Sequence, residues 1–231
     1  MVEKVPSEQR QELFPPYFAL TADSQQQGRG RQGKSWESET GKNLLLSLLL
    51  YPRIPPSLQF HVCRQVSLGI AKWIKETFDI EQVFIKWPND IYIENKKLVG
   101  ILIEHFLLGD SIHYSIAGIG ININQTSFSA SLPNPTSIFL ETQKTNSIED
   151  CLHGVIEKIK QTEMLSAEIL EKQYMNCLYQ YNVFANYMLP KISPEPLLLK
   201  IVGVHEKGML QLEDTNRHLY SCAFNEVVYL I

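Results

Sequence analysis

The sequence predicts an α+β fold ending in a small β-barrel, and three observations carry that prediction. One amphipathic helix separates two early strands from a run of short strands joined by tight turns, so helices and strands do not alternate as a doubly wound fold requires. A triple-proline stretch, "LPKISPEP" (189–196), breaks the chain. Beyond it, about forty residues divide into four short β runs, the spacing of a small barrel.

Taken in order, "YFALTAD" (17–23) reads as a strand and "NLLLSLLL" (43–50) as a second. The second does not alternate, which predicts burial on both faces. From Phe60 to Phe78, Val62, Val66, Ile70, Ile74 and Phe78 recur every four residues and predict an amphipathic helix. Short strands follow near 83–87, 91–94 and 98–106, with "ENKK" as a tight connection. "SIHYSIAGIGIN" (111–122) follows a Gly109-Asp110 turn and pairs back as a hairpin. The segment 125–146 reads as loose. Ser147, with Asp150 three residues on, predicts a capped helix whose apolar stripe is Ile148, Cys151, Leu152, Val155 and Ile159. A further helix is expected over about 166–181. The last four β runs are "LLLKIVGV", "GMLQLED", "HLYSCAF" and "EVVYLI". The domains expected are 1–189 and 190–231.

Composition narrows the function. The 231 residues are 44% hydrophobic and 20% charged, ordinary for a globular protein. A net charge of −4 argues against coating nucleic acid, so anion binding has to come from a local cluster. The apolar run around 43–52 is too short to span a bilayer, and the N-terminus lacks a signal-peptide pattern. Cys63, Cys151, Cys177 and Cys222 have neither zinc-site spacing nor that of a disulfide framework, which fits a reducing cytoplasmic setting.

The local cluster is "GRGRQGKSW" (28–36). Taken alone it is open to several readings: a disordered RGG-like element, a solvated loop, or an anion-binding loop. Gly28, Gly33, Lys34 and Ser35 match a P-loop letter by letter, but a P-loop opens a helix, and here a buried strand follows. Glycines allow backbone amides close to an anion, and Arg29 and Arg31, two apart, face one side of an extended loop. Trp36 reads equally as core or as a flat surface for a ring. A second cluster, "KWPND" (86–90), sets a lysine, an amide and a carboxylate between strands. "KLVGIL" (97–102) then brings Lys97 and Gly100, and "GIGININ" (118–124) follows.

In this order, "GRGRQG", "KWPND", "KLVGIL" and "GIGIN" closely resemble the biotin–protein ligase family. The resemblance implies a class II synthetase-like catalytic domain with a mixed or antiparallel sheet and helices, and an SH3-like C-terminal domain. It implies a cytoplasmic ligase that uses ATP and Mg²⁺, joins biotin to AMP, and passes biotin to a lysine of a biotin carboxyl carrier protein or domain. Lys97, Arg29 and Arg31 are the catalytic cations so implied. Biotin contacts fall to Gln25, Gly28, Arg29, Lys97, Gly100 and Ser7, and ATP contacts to Arg31, Lys34, Trp36, Asn89, Asp90 and Asn122. Asp90 is the indirect Mg²⁺ residue. Lys86 is expected in a structural or pyrophosphate role. The loop 26–38 is expected to be poorly ordered without ligand, closing over the reactive acyl-adenylate.

Two departures from the family stand out. Its Ser-Thr-Asn stretch is absent from residues 1–24; in "VPSEQRQEL" (5–13), Ser7 stands where the serine would and Glu8 replaces the threonine. A late start, fewer hydroxyls on biotin, and compromised binding all remain open. The N-terminal DNA-binding extension of some relatives finds no room, so transcriptional repression is not expected. Rival readings are a lipoate or octanoate ligase or transferase of the same fold, a non-catalytic biotin- or nucleotide-binding protein, and an RNA-binding protein using "GRGR". The partners expected are the carrier and the two small molecules, with no nucleic acid and no membrane, in a monomer or homodimer.

Overall fold

The computed structural model describes residues 7–25, 28, 30, 36–205 and 207–231, with Ser7 and Glu8 as backbone alone. The elements run α1 (Ser7–Leu13), β1 (Ala19–Ala22), β2 (Leu44–Leu50), α2 (Phe60–Phe78), β3 (Val83–Lys86), β4 (Asp90–Ile93), β5 (Lys96–Leu108) and β6 (Ser111–Ile121). They continue with α3 (Ile138–Thr142), α4 (Ile148–Glu163), α5 (Ala167–Asn176), β7 (Phe184–Met188), β8 (Leu197–Val204), β9 (Leu210–Asp214), β10 (Leu219–Cys222) and β11 (Val228–Tyr229). The α+β class follows directly. Six strands form one antiparallel sheet in the order β1-β2-β6-β5-β4-β3, and five form a second, β10-β9-β8-β7-β11.

Period-two alternation divides the first sheet into two faces. Val83, Ile85, Ile91, Ile93, Ala117, Ile119 and Ile121 belong to the core that α2 and α4 cover. Phe84, Lys86, Asp90, Tyr92, Gly118 and Gly120 fall on the opposite face. β2 is buried throughout except at Ser47, with α4 packed against it. Helix α2 has the bounds that the spacing of four predicts. It is buried around nearly its whole circumference from Phe60 to Ile74, however, and not along one stripe. Two polar members of that stretch are bonded: the Arg64 guanidinium donates to Val204 O at 2.7 Å and meets Glu171 at 3.1 Å, and Ser67 Oγ donates to Cys63 O. At Gly69 the crossing with α4 is so close that a Cβ would lie 2.9 Å from Ile159 Cα.

The expected cap at Ser147 forms, its hydroxyl accepting from Asp150 N at 3.2 Å. Helix α5 stops at Asn176, five residues short of the expected end. From there the chain pairs with the edge of β3: Ile85 N donates to Cys177 O and Tyr179 N to Ile85 O. A sheet edge needs partners for its peptide groups, and that demand overrides helical periodicity.

The C-terminal region departs from the barrel expectation. All four β runs form strands, but β7 joins them from ahead of the proline stretch, pairing with both β8 and β11. Among the described residues β10 and β11 do not pair, so this sheet is open and not a closed barrel. Its last strand is two residues long, too short to close a ring on both edges. None of the four cysteines forms a disulfide, and three of them are buried. Among the described residues no helix is long and apolar enough to cross a membrane.

Candidate active site

The site is built where β5 and β6 pair Gly100 with Gly120 on the face away from the helices. Two facing glycines leave a flat floor of bare backbone, and the Trp36 indole lies on it. A Cβ on Gly120 would sit 2.5 Å from Trp36 Cε2, and one on Gly100 would sit 2.8 Å from Trp36 Cζ3. No other residue type fits beneath that ring, because real Cβ contacts do not come so close. Trp36 is half-buried, and its Nε1 is buried with no partner among the described residues.

Trp36 N donates to Gly28 O at 3.0 Å, drawing the two ends of the glycine-arginine run together. Gln25 lies at the same place: a Cβ on Gly28 would come 3.0 Å from Gln25 Oε1. Lys97 supplies the cation. Its Nζ lies 2.8 Å from Asp90 Oδ2 and 5.8 Å from the centre of the Trp36 ring, with both charged side chains about one-third exposed or less. Asp90 pairs across the sheet with Gly100, and Tyr92 with Lys97, so the pair stands directly beside the glycine floor. A half-shielded ammonium held by one carboxylate and facing an aromatic ring suits a ligand with developing negative charge.

Asn122 closes the floor at the end of β6. Its Nδ2 donates to Thr136 O at 2.9 Å, while its buried Oδ1 has no partner among the described residues. Asn89 is 8% exposed and its side-chain amide donates to Ile101 O, so it braces the turn between β3 and β4. Ser7 opens α1, a helix the sequence reading does not anticipate. Arg29, Arg31 and Lys34 lie outside the described residues, as does most of the loop expected to be poorly ordered.

Sequence reasoning overlooks Gly120 as part of the floor and the polar brace behind it. Asn43 Nδ2 and Glu39 N both donate to Gln125 Oε1, Ser137 Oγ donates to Gln125 O, and Ile123 N donates to Asn43 Oδ1. These residues are distant in the chain, and an isolated Asn or Gln carries no pattern. Only the alternating "GIGIN" could have pointed to Gly120.

The model of the "Biotin/lipoate A/B protein ligase family" matches residues 4–122, just over half of the 231. The bifunctional ligase/repressor BirA of Bacillus subtilis is 40% identical over 111 residues, 48% of this chain and 34% of that protein. Its counterpart from Escherichia coli is 27% identical over 201 residues, 84% of this chain and 61% of that protein. The chain thus spans less than two thirds of the length of these relatives. Among solved structures, the biotin protein ligase of Aquifex aeolicus in complex with biotin and ATP superposes with a TM-score of 0.72 at 25% identity, over 91% of this chain and 87% of that one.

Proposed function

The chain belongs to the biotin/lipoate A/B protein ligase family, and from that premise we propose that it is an ATP-dependent biotin–protein ligase. The observation that carries this reading is the Asp90–Lys97 pair at 2.8 Å beside the Gly100–Gly120 floor, with Trp36 laid over it. Four separate motifs meet there.

In the first step a biotin carboxylate oxygen attacks the α-phosphorus of ATP. The new P–O bond forms as the bond to the bridging oxygen breaks, and pyrophosphate leaves. Charge builds on the α-phosphoryl oxygens, and a fixed ammonium aimed at them lowers the barrier. Lys97 takes that role, and Asp90 keeps its Nζ in place. In the second step a carrier lysine amine attacks the acyl carbon and loses a proton. The amide forms and AMP departs, so no enzyme nucleophile is needed.

The donor set fits Mg²⁺ that arrives on the nucleotide. Asp90 offers a hard carboxylate, and among the described residues no group of three His, Cys, Asp or Glu side chains makes an all-protein cage. Carried on the substrate phosphates, with Asp90 acting on it indirectly, the ion would neutralise phosphate charge. Gln25, Gly28, Gly100 and Ser7 are assigned to biotin, and Lys34, Trp36, Asn89 and Asn122 to the nucleotide. Arg29 and Arg31 are assigned to the phosphate and carboxylate region. The fold is read as class II synthetase-like, the open C-terminal sheet as an SH3-like module, the acceptor as a biotin carboxyl carrier domain, and the setting as cytoplasmic.

The purified protein is incubated with Mg-ATP, a carrier domain, and either biotin or lipoate. Carrier labelled with biotin alone is the expected result. Label from lipoate, or none from either, overturns the proposal. Lys97→Glu should abolish pyrophosphate release, and a retained rate removes Lys97 from its role.

A further inference from the structure

Within "KWPND", the Asp90 carboxylate meets Lys97, while the side chains of Lys86, on the same sheet face as Asp90, and of Trp87 meet residues of the C-terminal sheet. Trp87 is 3% exposed. Its Nε1 donates to Gly208 O, in the β8–β9 connection, at 3.0 Å. Its ring lies 5.2 Å from that of Phe224, between β10 and β11. Lys86 ends β3 with its Nζ 4.9 Å from the centre of the Tyr229 ring of β11 and 4.7 Å from that of Tyr92 in β4. It also donates to Tyr92 Oη at 3.2 Å. Burial first, and then the Asp90 carboxylate, push the Tyr92 phenol far above its usual range, so it stays a neutral acceptor for the ammonium. Two connections and the last strand of the C-terminal sheet therefore grip two consecutive residues of the catalytic sheet.

We propose that Lys86 and Trp87 are positioning residues through which the C-terminal sheet sets the geometry of the Asp90–Lys97 pair. The path is short. Lys86 is the cross-strand partner of Asp90, and Tyr92, which Lys86 touches, is the partner of Lys97. Between them Pro88 O accepts from Cys63 Sγ and Asn89 bonds to Ile101, so the turn is held from α2 and β5 as well. A turn pinned at both ends transmits displacement of one end to the other, since a close-packed interior has no slack to absorb it. The C-terminal sheet thus acts on catalysis through these two side chains. A cation between two aromatic rings is an orienting contact, and an indole donor to a buried carbonyl fixes the ring's rotation.

The test uses the full chain with Lys86→Gln, Lys86→Arg and Trp87→Phe. Without substrates, the rate at which Lys97 is acylated by a soluble activated ester, whose alcohol component leaves as the amide forms, is read by mass spectrometry, with Asp90→Asn marking full release of the pair. Lys86→Gln and Trp87→Phe should each raise that rate at least threefold, and Lys86→Arg should return it to the wild-type value. In the assay for biotin-dependent pyrophosphate release, which rests on the function proposed above, the same two variants should lose at least tenfold in kcat/KM for ATP. Their biotin affinity should stay within twofold and their melting temperature close to wild type. Wild-type labelling and ATP kinetics in both variants overturn the proposal, as does a loss of activity that only follows a loss of folded protein. If the wild-type chain makes no adenylate, the ligase reading has failed and the Lys97 labelling alone decides this one. Should Trp87→Phe fold poorly, Lys86→Gln carries the same decision, because Lys86 is partly exposed.

Discussion

Replacing Gly120 by alanine isolates what the glycine floor does. The backbone of Gly120 lies outside the left-handed region, so alanine fits the strand without strain and shortens the list of unfolded conformations. That alone stabilises by about 0.4–1 kcal/mol. The new methyl, however, would stand 2.5 Å from Trp36 Cε2 and 2.7 Å from Nε1. Ordinary carbon contacts begin near 3.5 Å, so the indole has to retreat by about 1 Å. A misplacement of that size in a positioned site costs up to about a hundredfold in rate. Gly118→Ala is the matched control on the same face, because its Cβ would lie 3.5 Å from Leu102 O, an ordinary contact. Both variants should melt at or above the wild-type temperature, while Gly120→Ala alone loses one to two orders of magnitude in biotin-dependent pyrophosphate release. Acrylamide quenching follows the ring itself: Trp73 and Trp87 are 3% exposed, so the quenchable emission belongs to Trp36 and should increase in Gly120→Ala. Identical turnover and quenching in the two variants would refute the floor.

The α2–α4 crossing supplies a stability counterpart. Alanine at Gly69 improves helix propensity by up to about 1 kcal/mol, yet its Cβ would meet the Ile159 backbone at 2.9 Å, and backbone cannot rotate away. Overpacking at the upper end of about 1–3 kcal/mol should therefore win, and a rise in the urea midpoint would contradict it. His61 supplies a pH dependence. Burial, and then the neighbouring Arg64, lower its pKa below 6.5, so the folded state holds fewer protons than the unfolded chain in that window. The contribution is present above pH 6.5 and lost as pH falls through the folded pKa. In urea titrations between pH 5 and 7.5, His61→Gln should flatten this part of the stability profile; an unchanged slope would refute the assignment.

Much of the molecule was legible from local chemistry. The spacing of four over 60–78, the Ser147 cap, the Gly109-Asp110 hairpin and the unalternating β2 are short-range patterns, and the structure realises each. Motif order brought out Lys97, Asp90, Trp36 and Gly100, which the structure gathers around one floor, while Arg29, Arg31 and Lys34 lie outside the described residues. What the chain could not disclose locally depends on distant segments. Helix α5 ends where β3 needs an edge partner, and β7 joins a sheet whose other strands lie beyond three prolines. The C-terminal sheet stays open, its last strand having two residues, and α2 is buried nearly all round because sheet, α4, α5 and C-terminal sheet pack against it. Residue types and spacings determined which groups could do chemistry and which helices and hairpins would form, since those preferences act within a few residues. Tertiary structure alone decided that Gly120 lies under Trp36 and that Lys86 and Trp87 reach the C-terminal sheet, because contacts between residues far apart in the chain leave no period in the sequence.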